Sequence, residues 1–132
     1  MKLYPVMLNI EGRLAVIVGG GSVACRKLQD LLEAGAVVRL IAPDVDDEIA
    51  AFAAERGGQV EIMHRRYCSG DLAGSALVFS ATDDPETNRQ VGDDARRAGL
   101  FVNTADDLEN SSLIIPSVTR RGELIMALST SG

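Results

Sequence analysis

The chain has no tryptophan, and its three phenylalanines and two tyrosines hold the aromatic share to 4%. A core must therefore be built from Val, Ile, Leu and Ala. Cysteine is nearly absent: Cys25 and Cys68 make neither a disulfide framework nor a four-ligand zinc site. A single histidine, His64, excludes a multi-histidine metal centre, and beside Arg65 and Arg66 it reads as part of a solvated polar cluster. No apolar run reaches the ~18–20 residues of a membrane span. Residues 1–10 lack the apolar stretch and small-residue cleavage site of a signal peptide. A cytoplasmic protein with no membrane partner is expected. Positive charge is the scarcer sign, with 13 Lys and Arg against 19 Asp and Glu and a net charge of −6. That argues against a general nucleic-acid binder, whose affinity comes from neutralised phosphates. There is no G-x-x-x-x-G-K-[ST] phosphate loop, and neither Tyr4 nor Tyr67 begins the Tyr-x-x-x-Lys pair of short-chain dehydrogenases. No internal repeat or low-complexity segment is present.

What is there is a chain of 132 residues, enough for one domain, with 46% apolar and 24% charged residues. That balance excludes disorder as the main state. Short apolar runs alternate with helical spacing, the pattern of an α/β domain with a parallel sheet. Leu14 to Val18 is a continuous apolar run, as expected of a strand covered on both faces. Ala24, Leu28, Leu31 and Leu32 then recur at helical spacing, and Gly35 is placed to end that helix in a left-handed cap. Val37 to Ala42 predicts a second strand, closed by Pro43-Asp44. A second helix places Val45, Ile49 and Phe52 on one face and ends at Gly57-Gly58. Val60 to Met63 and Ala76 to Ser80 predict the third and fourth strands. Asp83 or Asp84 caps a third helix with Pro85 in its first turn, where a missing N–H costs nothing. Val91, Ala95 and Ala98 line its buried face, and Gly99 ends it. Leu100 to Val102 predicts a fifth strand. Leu113 to Ile115 and Leu124 to Leu128 flank Arg121-Gly122 and suggest a terminal hairpin. The polar run Asp107 to Ser112 is the one candidate boundary.

Gly19-Gly20-Gly21-Ser22-Val23-Ala24 fits G-x-G-x-x-A, directly after a predicted strand and opening a predicted helix, the context this weak motif requires. Gly19 allows the sharp turn. Gly21 lets the backbone approach a pyrophosphate without a Cβ in the way, and Ala24 lets the helix pack close to the strand. Free N–H groups at the helix start then face the phosphates. An acidic residue normally follows at the end of the second strand to hold the ribose hydroxyls. Asp44 stands there, either for that purpose or as a helix cap. It would repel a 2′-phosphate, and the nearest cation, Arg39, lies inside the strand, so NAD is expected over NADP. Thr82-Asp83 follows the fourth strand at the edge that borders a ligand crevice, as a contact or as a cap. Asn103-Thr104-Ala105-Asp106 follows the fifth, as a substrate contact or as a surface turn. Cys25, near a helix start, has either a lowered pKa or a buried and inert thiol. Asn110-Ser111-Ser112 fits a glycosylation sequon, which has no meaning in a cytoplasmic protein.

These residues resemble the N-terminal module of siroheme synthase, the precorrin-2 dehydrogenase and sirohydrochlorin ferrochelatase family. The resemblance runs over nearly the whole chain. It begins at Tyr4-Pro5-Val6 and continues through Val18-Gly19-Gly20-Gly21-Ser22-Val23-Ala24-Cys25-Arg26-Lys27, similar to the family's VGGGxVAxRK. Leu31 to Ala36, Ile41-Ala42-Pro43, Ala81-Thr82-Asp83-Asp84 and Asn103-Thr104-Ala105-Asp106 follow in order, then Pro116 and Ser129-Thr130-Ser131-Gly132. The resemblance implies a Rossmann-like, doubly wound, mostly parallel α/β fold. A NAD-binding domain would span 1–112, and a segment beginning at 113–132 would lead, beyond Gly132, to a dimerisation region of a homodimer. It implies NAD-dependent oxidation of precorrin-2 to sirohydrochlorin, with ferrous insertion as a further activity. NAD contacts then fall on Ser22, Val23, Pro43 and Asp44, beside Gly19, Gly21, Thr82, Asp83 and Asn103. Asp106 falls on the acidic residue implicated in dehydrogenation and, transiently, in holding Fe²⁺. Arg120 and Arg121 are candidates for the substrate carboxylates or simply solvated turn residues. A non-catalytic NAD-binding regulatory domain would use the same glycine turn without a proton-transfer group.

Overall fold

Both faces of the first strand are buried, and that dictates the layering. The computed structural model describes residues 2–130; Met1, Ser131 and Gly132, the last two part of the expected terminal segment, lie outside the described residues. β1 (Leu14–Val18) sends Ala15 and Ile17 into one apolar cluster and Val16 and Val18 into another. α1 (Ser22–Glu33) and α2 (Asp47–Glu55) cover the first face with Ala24, Leu28, Leu31, Leu32 and Ile49. α3 (Pro85–Arg97) covers the second with Val91 and Ala95. β2 (Val37–Ile41), β3 (Val60–Met63), β4 (Leu77–Ser80) and β5 (Phe101–Thr104) complete a sheet in the order β3-β2-β1-β4-β5, parallel throughout. Helices on both faces of a parallel sheet make this the expected Rossmann-like, doubly wound α/β domain. Gly35 follows the cap residue of α1 at φ +84°, the left-handed position expected of it.

Four expectations shift. β5 starts and ends later than Leu100 to Val102, because the Leu100 N–H closes α3 on the Ala95 carbonyl. Asn103 and Thr104 therefore lie within the strand rather than in a turn after it. Ala98 is exposed rather than buried, since it caps α3 beyond the last turn that packs on the sheet. The terminal hairpin pairs β6 (Ser117–Arg121) with β7 (Leu124–Leu128), antiparallel. Leu113 to Ile115 is not its first strand: the Leu113 N–H bonds the Val102 carbonyl, its side chain packs on the first cluster, and Pro116 lacks a donor. Every residue of both hairpin strands is exposed.

The polar run Asp107 to Ser112 straps the open edge of the sheet. β5 is an edge strand, whose outward N–H groups need partners. Val102 N–H donates to Ser112 Oγ at 3.0 Å, and Thr104 N–H donates to Ser111 Oγ at 2.8 Å. Serine hydroxyls thus finish a ladder that has no sixth strand among the described residues.

Candidate functional site

All five parallel strands end in one row. Pairing places Met63 beside Ile41, Ile41 beside Val18, Val18 beside Ser80 and Ser80 beside Thr104. The segments that leave this row are the ones the sequence singles out. Pro43-Asp44 leaves β2, the glycine turn leaves β1, Thr82-Asp83 leaves β4 and Asp106 follows β5. At ~4.8 Å per strand, the exits of β2 and β5 stand roughly 14 Å apart with the glycine turn between them. The chain turns in opposite directions from β1 and β4, so the crevice between them is the topological switch point.

The glycine turn is shaped by close backbone contacts. Gly19 sits at φ +137°, and a Cβ on it would overlap the Ala81 carbonyl that leaves β4. A Cβ on Gly20 would overlap the Asp44 carbonyl and reach Val45 Cα at 3.0 Å. Asp46 N–H donates to the Gly20 carbonyl at 2.8 Å, which ties the β2 exit to the turn. Gly21, by contrast, faces open space, with nothing within 4 Å of a built Cβ. It caps α1, no side chain caps that helix start, and no acidic residue stands in its first turn. The upstream donors of α1 therefore point toward an open, uncrowded backbone, which fits an anion. Ser22 is exposed there and Val23 half-buried. The requirement for glycine at position 20 is not visible in G-x-G-x-x-A, where that position is unrestricted.

Asp44 is not a helix cap: α2 starts after Asp46, and Pro43 and Asp44 are exposed beside the glycine turn. Arg39 is committed elsewhere, donating to the Asp71 carbonyl at 2.9 Å and pairing with Glu61 at 3.4 Å. Thr82 braces the approach to α3 without capping it. Its hydroxyl lies 2.7 Å from Asn88 Oδ1 and accepts the Asp84 N–H at 3.2 Å. Asp84 is the cap of α3, accepting the Glu86 N–H at 3.1 Å and the Thr87 hydroxyl at 2.7 Å. Those two donors hold its carboxyl below the usual range, the hydroxyl contributing most. Asp83 is exposed.

Asp106 is exposed, and it is the one non-glycine residue at positive φ (58°) among the described residues. Aspartate tolerates the left-handed region better than most side chains, and asparagine equally so. Its turn is anchored on both sides: Ala105 N–H donates to the Ser80 carbonyl at 2.9 Å, and Asp107 Oδ1 accepts the Asn110 N–H at 3.1 Å. Asp107 is thus exposed but not free. Asn103 is half-buried, and its Nδ2 donates to the Leu113 carbonyl at 2.9 Å. That bond braces the strand against the strap.

The remaining candidates separate from this edge. Cys25 is buried, and burial, then the Glu48 carboxylate, pushes its thiol pKa up, so the helix start does not activate it. His64 is exposed, but Arg65 is no loose member of a cluster: it clamps Asp71 through both carboxylate oxygens at 2.7 and 2.8 Å. Arg120 and Arg121 lie on the exposed hairpin. Among the described residues no group of three or more His, Cys, Asp or Glu side chains is set to hold a metal ion, and no helix is long and apolar enough to cross a membrane.

A family model described as putative NAD(P)-binding matches residues 6–117. The chain is 41% identical over all 132 residues to a siroheme synthase of Pseudomonas putida, spanning 28% of that protein. It is 42% identical over the same length to siroheme synthase 2 of Aeromonas salmonicida, spanning 27% of it. The solved structure of SirC, a precorrin-2 dehydrogenase, superposes with a TM-score of 0.84 at 33% identity, covering 97% of this chain and 62% of that one. The chain therefore spans under a third of the siroheme synthases it matches, and the resemblance read from its motifs holds across its full length.

Proposed function

The chain belongs to the NAD(P)-binding family, and from that premise we propose that it oxidises precorrin-2 to sirohydrochlorin with NAD as hydride acceptor. One observation carries the reading. An uncrowded glycine turn and an exposed carboxylate leave the same row of strand ends, in a chain that is similar throughout to siroheme synthases and to a precorrin-2 dehydrogenase. A bound NAD supplies the acceptor for the hydride. The residues of the chain do the rest. The backbone at Gly21, Ser22 and Val23 takes the pyrophosphate, and Gly19 shapes the turn that presents it. Asp44, with Pro43, accepts from the adenosine ribose hydroxyls on the β2 side. Thr82, Asp83 and Asn103 border the opposite, nicotinamide side. Asp106 takes the proton released as the hydride leaves, so precorrin-2 and NAD⁺ give sirohydrochlorin, NADH and H⁺. Parallel titrations should show tighter binding of NAD than of NADP, because Asp44 repels a 2′-phosphate and Arg39 is already paired.

The same carboxylate is proposed to assist insertion of Fe²⁺ by accepting the displaced ring protons or by transiently holding the metal. We assign residues 1–112 to the cofactor-binding unit and 113–132 to the start of a segment that serves a homodimer. An anaerobic absorbance assay tests the whole reading. Precorrin-2 plus NAD should yield the sirohydrochlorin spectrum, and later addition of Fe²⁺ should convert it to siroheme. Binding of NAD without oxidation would instead mark a regulatory nucleotide sensor. Oxidation without metal insertion would restrict Asp106 to the first step.

A further inference from the structure

Among the described residues four polar ones are buried, and three of them, Ser80, Thr104 and Asn110, belong to one hydrogen-bond network that lies directly behind the β4 and β5 exits. Its centre is two asparagines with no chemistry assigned to them. Asn88, at the end of the first turn of α3, grips the Thr82 backbone from both sides: its Oδ1 accepts the Thr82 N–H at 3.2 Å, and its Nδ2 donates to the Thr82 carbonyl at 3.0 Å. The same Oδ1 accepts from the Ser80 and Thr82 hydroxyls at 2.7 Å each. The backbone carbonyl of Asn88 accepts Asn110 Nδ2 at 2.8 Å. Asn110 in turn donates its own N–H to Asp107 and accepts the Thr104 hydroxyl on its carbonyl at 3.1 Å. Asp106 stands between those two anchor points.

Room has been made for this arrangement. Gly92 lies in the middle of α3, where glycine is disfavoured relative to alanine. A Cβ there would overlap the Asn110 amide, so the helix gives up a side chain to admit it. Arg96, one turn further on, donates to Asn110 Oδ1 at 3.0 Å and fixes which way the amide faces. Among the described residues no buried side-chain N or O is left without a partner, so the network closes on itself. Closed polar networks of this kind have one arrangement, which is how they set geometry at a distance.

We propose that Asn88 and Asn110 are positioning residues that fix the Asp106 turn relative to the Thr82 exit, so that the carboxylate and the nicotinamide end of the crevice keep one spacing. This rests on the dehydrogenase reading above. Asn110→Asp is the discriminating variant: it keeps the Arg96 contact but cannot donate to the Asn88 carbonyl. Its kcat for precorrin-2 oxidation should fall about 10–100-fold, the scale of a small misplacement, with NAD affinity unchanged. Combined with Asp106→Asn, it should add no more than about twofold to the loss from Asp106→Asn alone, because a residue acting through Asp106 has nothing left to position. Gly92→Ala reaches the same amide from the helix side and should reproduce the kcat loss while favouring the helix itself. Val91→Ala, a cavity on the same helix, measures what loss of stability alone does and should leave kcat unchanged. Additive losses in the double variant, or full kcat in folded Asn110→Asp or Gly92→Ala, overturn the positioning role. Wild-type protein that binds NAD and never oxidises precorrin-2 instead overturns the function on which it rests.

Discussion

Two turns leave the same edge of the same sheet and are held by opposite means. The glycine turn after β1 is fixed by what is missing: Gly19 and Gly20 lie so close to the Ala81 and Asp44 carbonyls that no side chain fits. The Asp106 turn after β5 is fixed by what is added: a strap of serines, two asparagines and a backbone bond to Ser80. The first suits a surface that must lie against a ligand's phosphates with nothing between. The second suits a side chain that must be held at a point while remaining exposed. On the proposed function, binding and proton transfer are separable by position, and the comparison can be broken at either turn.

The largest effect is expected at Asp106. Asp106→Asn keeps the shape and the left-handed backbone, so stability and NAD affinity should be unchanged. Turnover should fall by ~10²–10⁴-fold, the range for a lost general base. Asp107→Asn retains the acceptor for the Asn110 N–H and should cost little. If Asp107→Asn is the damaging change, the catalytic carboxylate has been placed one residue off. Next comes Gly21→Asp, which adds bulk and a like charge where the backbone is open. Calorimetry should find NAD binding at least ~100-fold weaker, roughly 3 kcal/mol, in a protein that still folds. Unchanged affinity there would remove this turn from the binding site.

A smaller effect separates neighbouring glycines. Gly20→Ala must push the Asp44 backbone away and should lower unfolding stability by ~1–3 kcal/mol, while Gly21→Ala should leave it nearly unchanged. Equal melting of the two would show that the close approach of β2's exit does not matter. The smallest effect is in acid. The folded carboxyl of Asp84 lies below its usual value, so its cap is complete above the ordinary carboxylate range and is lost as pH falls through the depressed value. Amide resonances of Thr82, Asp83, Asp84, Glu86 and Thr87 should shift in that window while those of Gly19 to Gly21 stay still. Matching shifts in both turns would mean that acid loosens the sheet as a whole.

The glycine turn was legible in the sequence because its constraints are local. A strand, three glycines and a helix follow one another, and the continuous apolar run of β1 announces a sheet buried on both faces. Even so, position 20 was hidden, since its constraint comes from Asp44 on another strand. The Asp106 turn was legible from its place after the fifth strand only as a contact or a surface turn, and the role proposed for Asp106 came through family resemblance. Asn110-Ser111-Ser112 looks like a loop or a sequon until β5 is known to be an edge strand that lacks partners. Gly92 offered the one local hint, a glycine inside a helix, and its reason lies 18 residues away in Asn110. β5 runs further than its apolar residues suggest for the same cause: Asn103 and Thr104 are polar, and their places in the ladder are completed by the strap.

The proposed oxidation, on which the division of labour between the turns rests, has one direct test. Precorrin-2 carrying deuterium at the carbon from which hydride departs is given to the protein with NAD, anaerobically, and the reduced nucleotide is recovered. The account predicts that the label is found in the nicotinamide ring, with one equivalent of reduced cofactor for each sirohydrochlorin. Label lost to water, or sirohydrochlorin formed without reduced cofactor, would contradict it.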